Sequence, residues 1–102
     1  MKKIINSRLY DTGTAKEIGS YCNGYGAGDF HYLEETLYRK KTGEFFLYGS
    51  GGAMTKYSVE CGNRCWSGSE AITPCTVEEA MGWAEEHLDA DTYIEVFGAM
   101  EE

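Results

Sequence analysis

The residues best suited to chemistry in this 102-residue chain are four cysteines, two histidines and an excess of carboxylates. Cys61 and Cys65 are separated by three residues, Cys75 follows ten later, and Cys22 lies far upstream. Zinc takes four sulfur or nitrogen ligands in a tetrahedron, and a closely spaced cysteine pair offers two thiolates from one turn. Gly62 and Asn63 favour a turn there, so Cys22, Cys61, Cys65 and Cys75 form the candidate ligand set for a structural zinc ion, with His31 as an alternative fourth donor. The set lacks a second tight pair. The competing reading packs the same cysteines as small hydrophobes in a core.

Catalysis finds less support. His87 falls near the C-terminal end of an acidic helical stretch, where the helix dipole and Glu85 and Glu86 favour an imidazolium. His31 opens a strand beside Asp29 and is the candidate general base, but no Ser or Cys is tied to it by local sequence, as an acyl-transfer triad requires. Glu34 and Glu35 are adjacent on a strand and so point to opposite faces, which argues against a carboxylate dyad. Gly49-Ser50-Gly51-Gly52 lacks the Gly-Lys-Ser/Thr of a phosphate loop, and Asn23 to Gly28 fits no dinucleotide fingerprint. The expectation is a binding protein without enzymatic activity.

Charge is the most informative global feature. The net charge is −8, yet residues 1–75 hold eight acids against nine bases, whereas residues 76–102 hold nine acids and no Lys or Arg. Seven of those acids, Glu78, Glu79, Glu85, Glu86, Asp89, Asp91 and Glu95, are the candidate partner-binding residues. With no base nearby, no i, i+4 salt bridge forms within the stretch, and the resulting self-repulsion is easier to understand if a basic partner relieves it. Such a face repels phosphates, so direct nucleic-acid binding through it is not expected. The most hydrophobic runs, such as Phe45-Phe46-Leu47-Tyr48, are too short to cross a bilayer, and no apolar stretch follows Lys2 and Lys3 to make a secretory signal. A cytoplasmic setting is expected, with the cysteines as reduced thiols or metal ligands.

The elements that must position these residues read as one α+β domain over 1–102, mainly strands and turns through residue 75 and helical over 76–98. Lys3-Ile4-Ile5 and Arg8-Leu9-Tyr10 flank Asn6-Ser7, a two-residue hairpin turn. A short strand is expected between Thr14 and Cys22, followed by a glycine-rich loop from Asn23 to Asp29. Phe30 to Arg39 and Glu44 to Tyr48 form the clearest hairpin, about a turn ending at Gly43. Its first arm alternates Tyr32, Glu34, Thr36 and Tyr38 with His31, Leu33, Glu35, Leu37 and Arg39, and since neither face is cleanly apolar, a sheet covered on one side is expected. Gly49 to Gly52 breaks the second arm. Lys56 to Val59 and Glu70 to Ile72 are short strands around a loop holding Cys61, Cys65 and Trp66. Thr76 and Glu79 match a capping box, and Val77, Ala80, Met81, Ala84 and Leu88 make an apolar helical stripe. A second helix is capped by Asp89, carries Ala90, Tyr93, Ile94 and Phe97 on one face, and ends at Gly98. The expected fold is an antiparallel β-meander packed against these C-terminal helices.

Two stretches resemble small acidic proteins of Firmicutes phages and mobile elements: Glu34-Glu35-Thr36-Leu37-Tyr38-Arg39 through Phe46-Leu47-Tyr48-Gly49-Ser50-Gly51-Gly52, and Glu78-Glu79-Ala80 through Glu85-Glu86-His87-Leu88-Asp89-Ala90-Asp91. Proteins of this kind are similar to the anti-CRISPR inhibitors of type II RNA-guided nucleases, some of which look like zinc-binding proteins. The resemblance carries no catalytic residue. It implies an acidic helical face that occupies the basic nucleic-acid channel of such a nuclease and blocks target DNA loading. The alternative is a zinc-stabilised protein-binding adaptor or regulator of a mobile element.

Overall fold

The computed structural model of the protein describes residues 1–26, 28–62 and 65–98. Strands β1 (Lys2–Ile5), β2 (Arg8–Asp11), β3 (Lys16–Cys22), β4 (Leu33–Arg39), β5 (Phe45–Gly51), β6 (Val59–Gly62), β7 (Cys65–Ser67) and β8 (Ser69–Cys75) precede helices α1 (Val77–His87) and α2 (Ala90–Phe97). The main sheet is antiparallel with strand order β3-β4-β5-β8, and two separate hairpins, β1-β2 and β6-β7, extend from it. This is the expected α+β arrangement, with the C-terminal helices on the sheet.

Local chemistry explains the turns. Asn6 and Ser7 both take left-handed backbone conformations, with φ of 51° and 64°. That pair of positive φ values gives the hairpin turn whose twist matches its strands, and asparagine tolerates it well. Between β4 and β5, Gly43 supplies the positive φ of 93°, and its N–H donates to the Lys40 carbonyl at 2.9 Å. The resulting register sets Leu37 opposite Leu47 and Tyr38 opposite Phe46.

Strict alternation then sorts the sheet's side chains. On the helix side, Leu37 and Phe45 pack with Ala80 and Trp83 of α1, flanked by Ile18, Tyr21, Leu88 and Phe97. On the other side, Tyr10 of the N-terminal hairpin joins Phe46 and Ile72 in a second cluster. The Tyr10 ring meets Phe46 edge-on at 5.5 Å, and Phe46 stacks on Tyr38 at 5.2 Å. The sheet is therefore covered on both faces rather than one. The second cover is partial: away from Tyr10, that face carries polar pairs in which Tyr32 donates to Glu34 and Tyr48 donates to Glu70.

Three local expectations are corrected. The Gly49 to Gly52 run does not break β5, which continues to Gly51. A methyl on Gly49 would sit 1.9 Å from the Tyr57 hydroxyl oxygen, and one on Gly51 would sit 2.2 Å from Thr55 Oγ1. These glycines keep the strand bare so that the segment after it can lie across it. Next, residues 56–58 are not a strand, and the cysteine segment is not a loop; Val59–Gly62 and Cys65–Ser67 pair as β6 and β7. The strand expected over Glu70 to Ile72 extends over Ser69–Cys75 as β8, so that Pro74 lies within it, opposite Phe46. β8 is an edge strand, where a residue without an N–H is tolerated.

The helix signals hold at their ends and shift along the face. Thr76 Oγ1 accepts from Glu79 N at 3.1 Å, while Glu79 Oε1 accepts from Thr76 N at 2.9 Å, the reciprocal capping box. Asp89 Oδ1 accepts from Thr92 N at 2.8 Å and caps α2. The buried residues of α1 are Ala80, Trp83 and Ala84, whereas Val77 is exposed. Trp83 outcompetes Val77 for the core because it carries far more apolar area to bury. α1 seats closely on β3, where a methyl on Gly19 would sit 2.4 Å from a Leu88 methyl carbon.

Candidate functional site

The one charged side chain fully enclosed among the described residues is Glu35, 2% exposed, on the helix side of β4. Glu34, its neighbour, points to the opposite face, as alternation requires. Glu35 Oε2 accepts from Lys56 Nζ at 2.7 Å and from the Tyr57 hydroxyl, and Oε1 accepts from Trp83 Nε1 at 3.3 Å. Burial by itself pushes this carboxyl up. The hydrogen bonds from Lys56, Tyr57 and Trp83, with the Lys56 charge, outweigh that and hold it below the usual glutamate range. The Tyr57 hydroxyl is driven far above the ordinary tyrosine value, first by burial and then by the hydrogen bond to Glu35. Among the described residues no buried side-chain nitrogen or oxygen lacks a partner. The network is therefore complete, and Lys56, itself 61% exposed, is the member that reaches water.

Glu35 and Lys56 line an open cleft of about 550 Å³, the lysine from the solvent side. Tyr21 of β3 and Trp83 and His87 of α1 line one part of it, and Tyr25 and His31 of the loop before β4 another. Tyr21 stacks on His87 with ring centroids 4.0 Å apart, and His87 lies 5.1 Å from Trp83. The loop is set by Asn23, whose Nδ2 donates to the His31 carbonyl at 2.7 Å and whose Oδ1 accepts from Leu33 N at 3.2 Å. Tyr25 and His31 face each other at 5.6 Å. His31 Nδ1 is 3.3 Å from Asp29 Oδ1, and both side chains are largely exposed.

The acidic residues predicted to bind a partner are all exposed: Glu78, Glu79, Glu85, Glu86, Asp89, Asp91 and Glu95. Glu79 and Asp89 are occupied as helix caps. Glu78 and Glu85 share a helical face with Gly82 between them, and Glu86 borders the aromatic cleft and lies 3.9 Å from His87. No Lys or Arg stands in either helix to neutralise them.

The proposed zinc ligands are not brought together. Cys61 and Cys65 form a disulfide across the β6-β7 hairpin, whose Cα atoms lie 5.3 Å apart, within the reach of such a bond. This corrects the expectation of four reduced thiols. Cys22 is exposed at the end of β3 opposite Glu34, and Cys75 ends β8 on the helix side. Burial pushes the Cys75 thiol up to about 11, with the Glu79 charge adding to it, so it is not a ready thiolate. Among the described residues no three His, Cys, Asp or Glu side chains are grouped to hold a metal.

Sequence reasoning missed the Glu35 network. A readable trace was present: Glu35 interrupts Leu33 and Leu37 on one face of a strand, and a carboxylate in an apolar row is the informative exception. Tyr57 and Trp83 could not be linked to it, because their separations of 22 and 48 residues leave no local pattern. No helix among the described residues is long and apolar enough to cross a membrane. No protein-family model, curated protein or solved structure matches the chain.

Proposed function

We propose that this chain is a binding protein that engages a basic protein surface through the exposed carboxylates of α1 and α2. The observation that carries the reading is that Glu78, Glu85, Glu86, Asp91 and Glu95 stand in water with no Lys or Arg in either helix. Uncompensated charge of one sign steers diffusional encounter with the opposite sign and disfavours like-charged partners. Following the resemblance, the partner is a type II RNA-guided nuclease of a bacterial host. Its guide and target lie in a strongly basic channel, and the acidic face competes there with target DNA. In that role the protein is an inhibitor acting by occupation, with no catalytic residue, and in a cytoplasmic setting the exposed Cys61–Cys65 pair would be reduced.

The test is target-DNA cleavage by purified type II nucleases with and without excess protein, followed by a salt series. Inhibition should weaken steeply as salt rises, because exposed charges are screened. The double variant E85K/E86K should weaken it on the order of tenfold or more. Unchanged potency of that variant would sink the reading. The zinc-stabilised adaptor has no observation in its favour, since Cys61 and Cys65 are joined in a disulfide and Cys22 and Cys75 lie on separate strands.

A further inference from the structure

We propose that the cleft over Glu35 is a receptor for an arginine side chain of the protein partner, whose guanidinium replaces the Lys56 ammonium on the buried carboxylate. This rests on the reading of a basic protein partner and names the contact that makes its binding specific.

The electrostatics of the exchange are favourable. A buried carboxylate needs a cation, and removing its partner without replacement is strongly destabilising. Lys56 supplies that cation from the solvent side, with 61% of its side chain exposed. Lysine is a mobile, strongly hydrated point charge that holds no fixed orientation of its own. One cation can therefore leave as another enters, and Glu35 is never left unpaired. Trp83 and Tyr57 stay in place during the exchange and continue to orient both carboxylate oxygens.

The walls favour guanidinium over ammonium. Exposed Tyr25 and the half-buried Tyr21–His87 stack present aromatic surface along the cleft, with buried Trp83 beneath, and planar guanidinium stacks on such surfaces while also donating a fork of N–H groups. Glu35 Oε1 accepts a single hydrogen bond, from Trp83, and keeps capacity for a second donor. An arginine reaching the floor would then donate to both oxygens, where Lys56 reaches only Oε2. Glu86 at the border adds a second carboxylate on the entry path. His31, His87, Tyr21 and Tyr25 are the other titratable groups of the lining, and each histidine already lies near a carboxylate, Asp29 and Glu86 respectively.

The experiment is an NMR titration of the intact protein with N-acetyl-arginine amide, its lysine counterpart and its neutral citrulline isostere. The Trp83 indole N–H is the reporter, assigned with a Trp66→Phe variant. Saturable shifts are expected with the arginine probe, several-fold weaker ones with lysine and none with citrulline. Lys56→Ala and Lys56→Gln remove the competing cation, so either variant that remains folded should bind the arginine probe several-fold more tightly. No saturable shift up to about 50 mM, beyond the millimolar range expected for one side chain, would overturn the proposal. Equal binding of citrulline, or weaker arginine binding in both Lys56 variants, would do the same. Nuclease inhibition by E78K/E85K, which leaves the cleft lining intact, is read separately. A functioning cleft beside an indifferent acidic face would leave this inference standing and remove the nuclease reading.

Discussion

Trp83 Nε1 donates to Glu35 Oε1 at 3.3 Å, a bond between residues 48 apart in the chain that ties α1 to an interior strand of the sheet. It makes a single carboxylate the junction of three segments, since Lys56 and Tyr57 reach Glu35 from the stretch after β5. The sheet face, the helix and the crossing segment thus depend on one another through polar contacts as well as apolar packing.

Glu35→Gln should therefore destabilise the protein although it preserves shape. The neutral amide cannot pair with Lys56 and must turn a donor toward one of its present donors. A lost hydrogen bond to a charged group costs about 1.5–3 kcal/mol. Urea unfolding should show a lower midpoint with an unchanged slope; identical curves for the two proteins would contradict the network's role.

The same carboxyl sets a pH dependence. Its folded-state pKa lies below the unfolded value, so its contribution is fully present above about pH 5, given an unfolded glutamate near 4.3. It is lost as pH falls through the depressed folded value. The stability difference between the natural protein and E35Q should accordingly be largest near neutrality and shrink on acidification. Melting temperatures of both proteins from about pH 7 to pH 3 check this, and a constant gap would refute it.

Gly49→Ala tests the close approach beside that network. The added methyl would meet Tyr57 at 1.9 Å from its hydroxyl oxygen and 2.0 Å from Cζ, so the ring must move off Glu35. Overpacking of this kind costs about 1–3 kcal/mol. In a Tyr57→Ala background the same Gly49→Ala change should cost less than it does in the natural protein, because the clash is gone, and urea midpoints of the four proteins of this cycle check it.

Gly82→Ala should act in the opposite direction. Gly82 lies in the middle of α1, is exposed, and has open space where a methyl would go. Replacing glycine by alanine within a helix is worth about 0.5–1 kcal/mol. Thermal melting should rise, while the neighbouring Glu78 and Glu85 keep their charge.

Reduction of the Cys61–Cys65 disulfide should be felt locally. The bond closes a very short loop, and the entropic stabilisation of a disulfide falls below about 3 kcal/mol for loops shorter than about 15 residues. The described residues of β6 and β7 are all exposed, so the main core does not depend on them. Trp66, 58% exposed, should become more accessible to a fluorescence quencher on reduction, while Trp83, 7% exposed, should not. Loss of the whole fold on reduction would overturn this assignment.

What was legible in the chain was whatever local chemistry decides. Asn6-Ser7, the turn at Gly43, the Thr76–Glu79 capping box and the Asp89 cap each involve residues within a few positions of one another, so backbone preference and side-chain reach suffice to specify them. The acidic character of α1 and α2 was equally plain, because charge is a property of composition and exclusion from the core sends it to water. The α+β class followed from the change of hydrophobic period near residue 76.

The tertiary structure decided where distant segments meet. Gly49 to Gly52 reads as a strand breaker by propensity, yet its residues through Gly51 become the end of β5, because Tyr57 and Thr55 need the space that side chains would fill. Four cysteines read as a zinc set by count, yet β6 pairs with β7 and joins two of them while the others lie on separate strands. Glu35 reads as one polar position on a strand face that is not cleanly apolar, yet is enclosed because Trp83, arriving from α1, covers it and satisfies one of its oxygens. Burial and long-range hydrogen bonding are properties of the assembled fold, and a buried charge is stable only where several separate segments supply its partners at once.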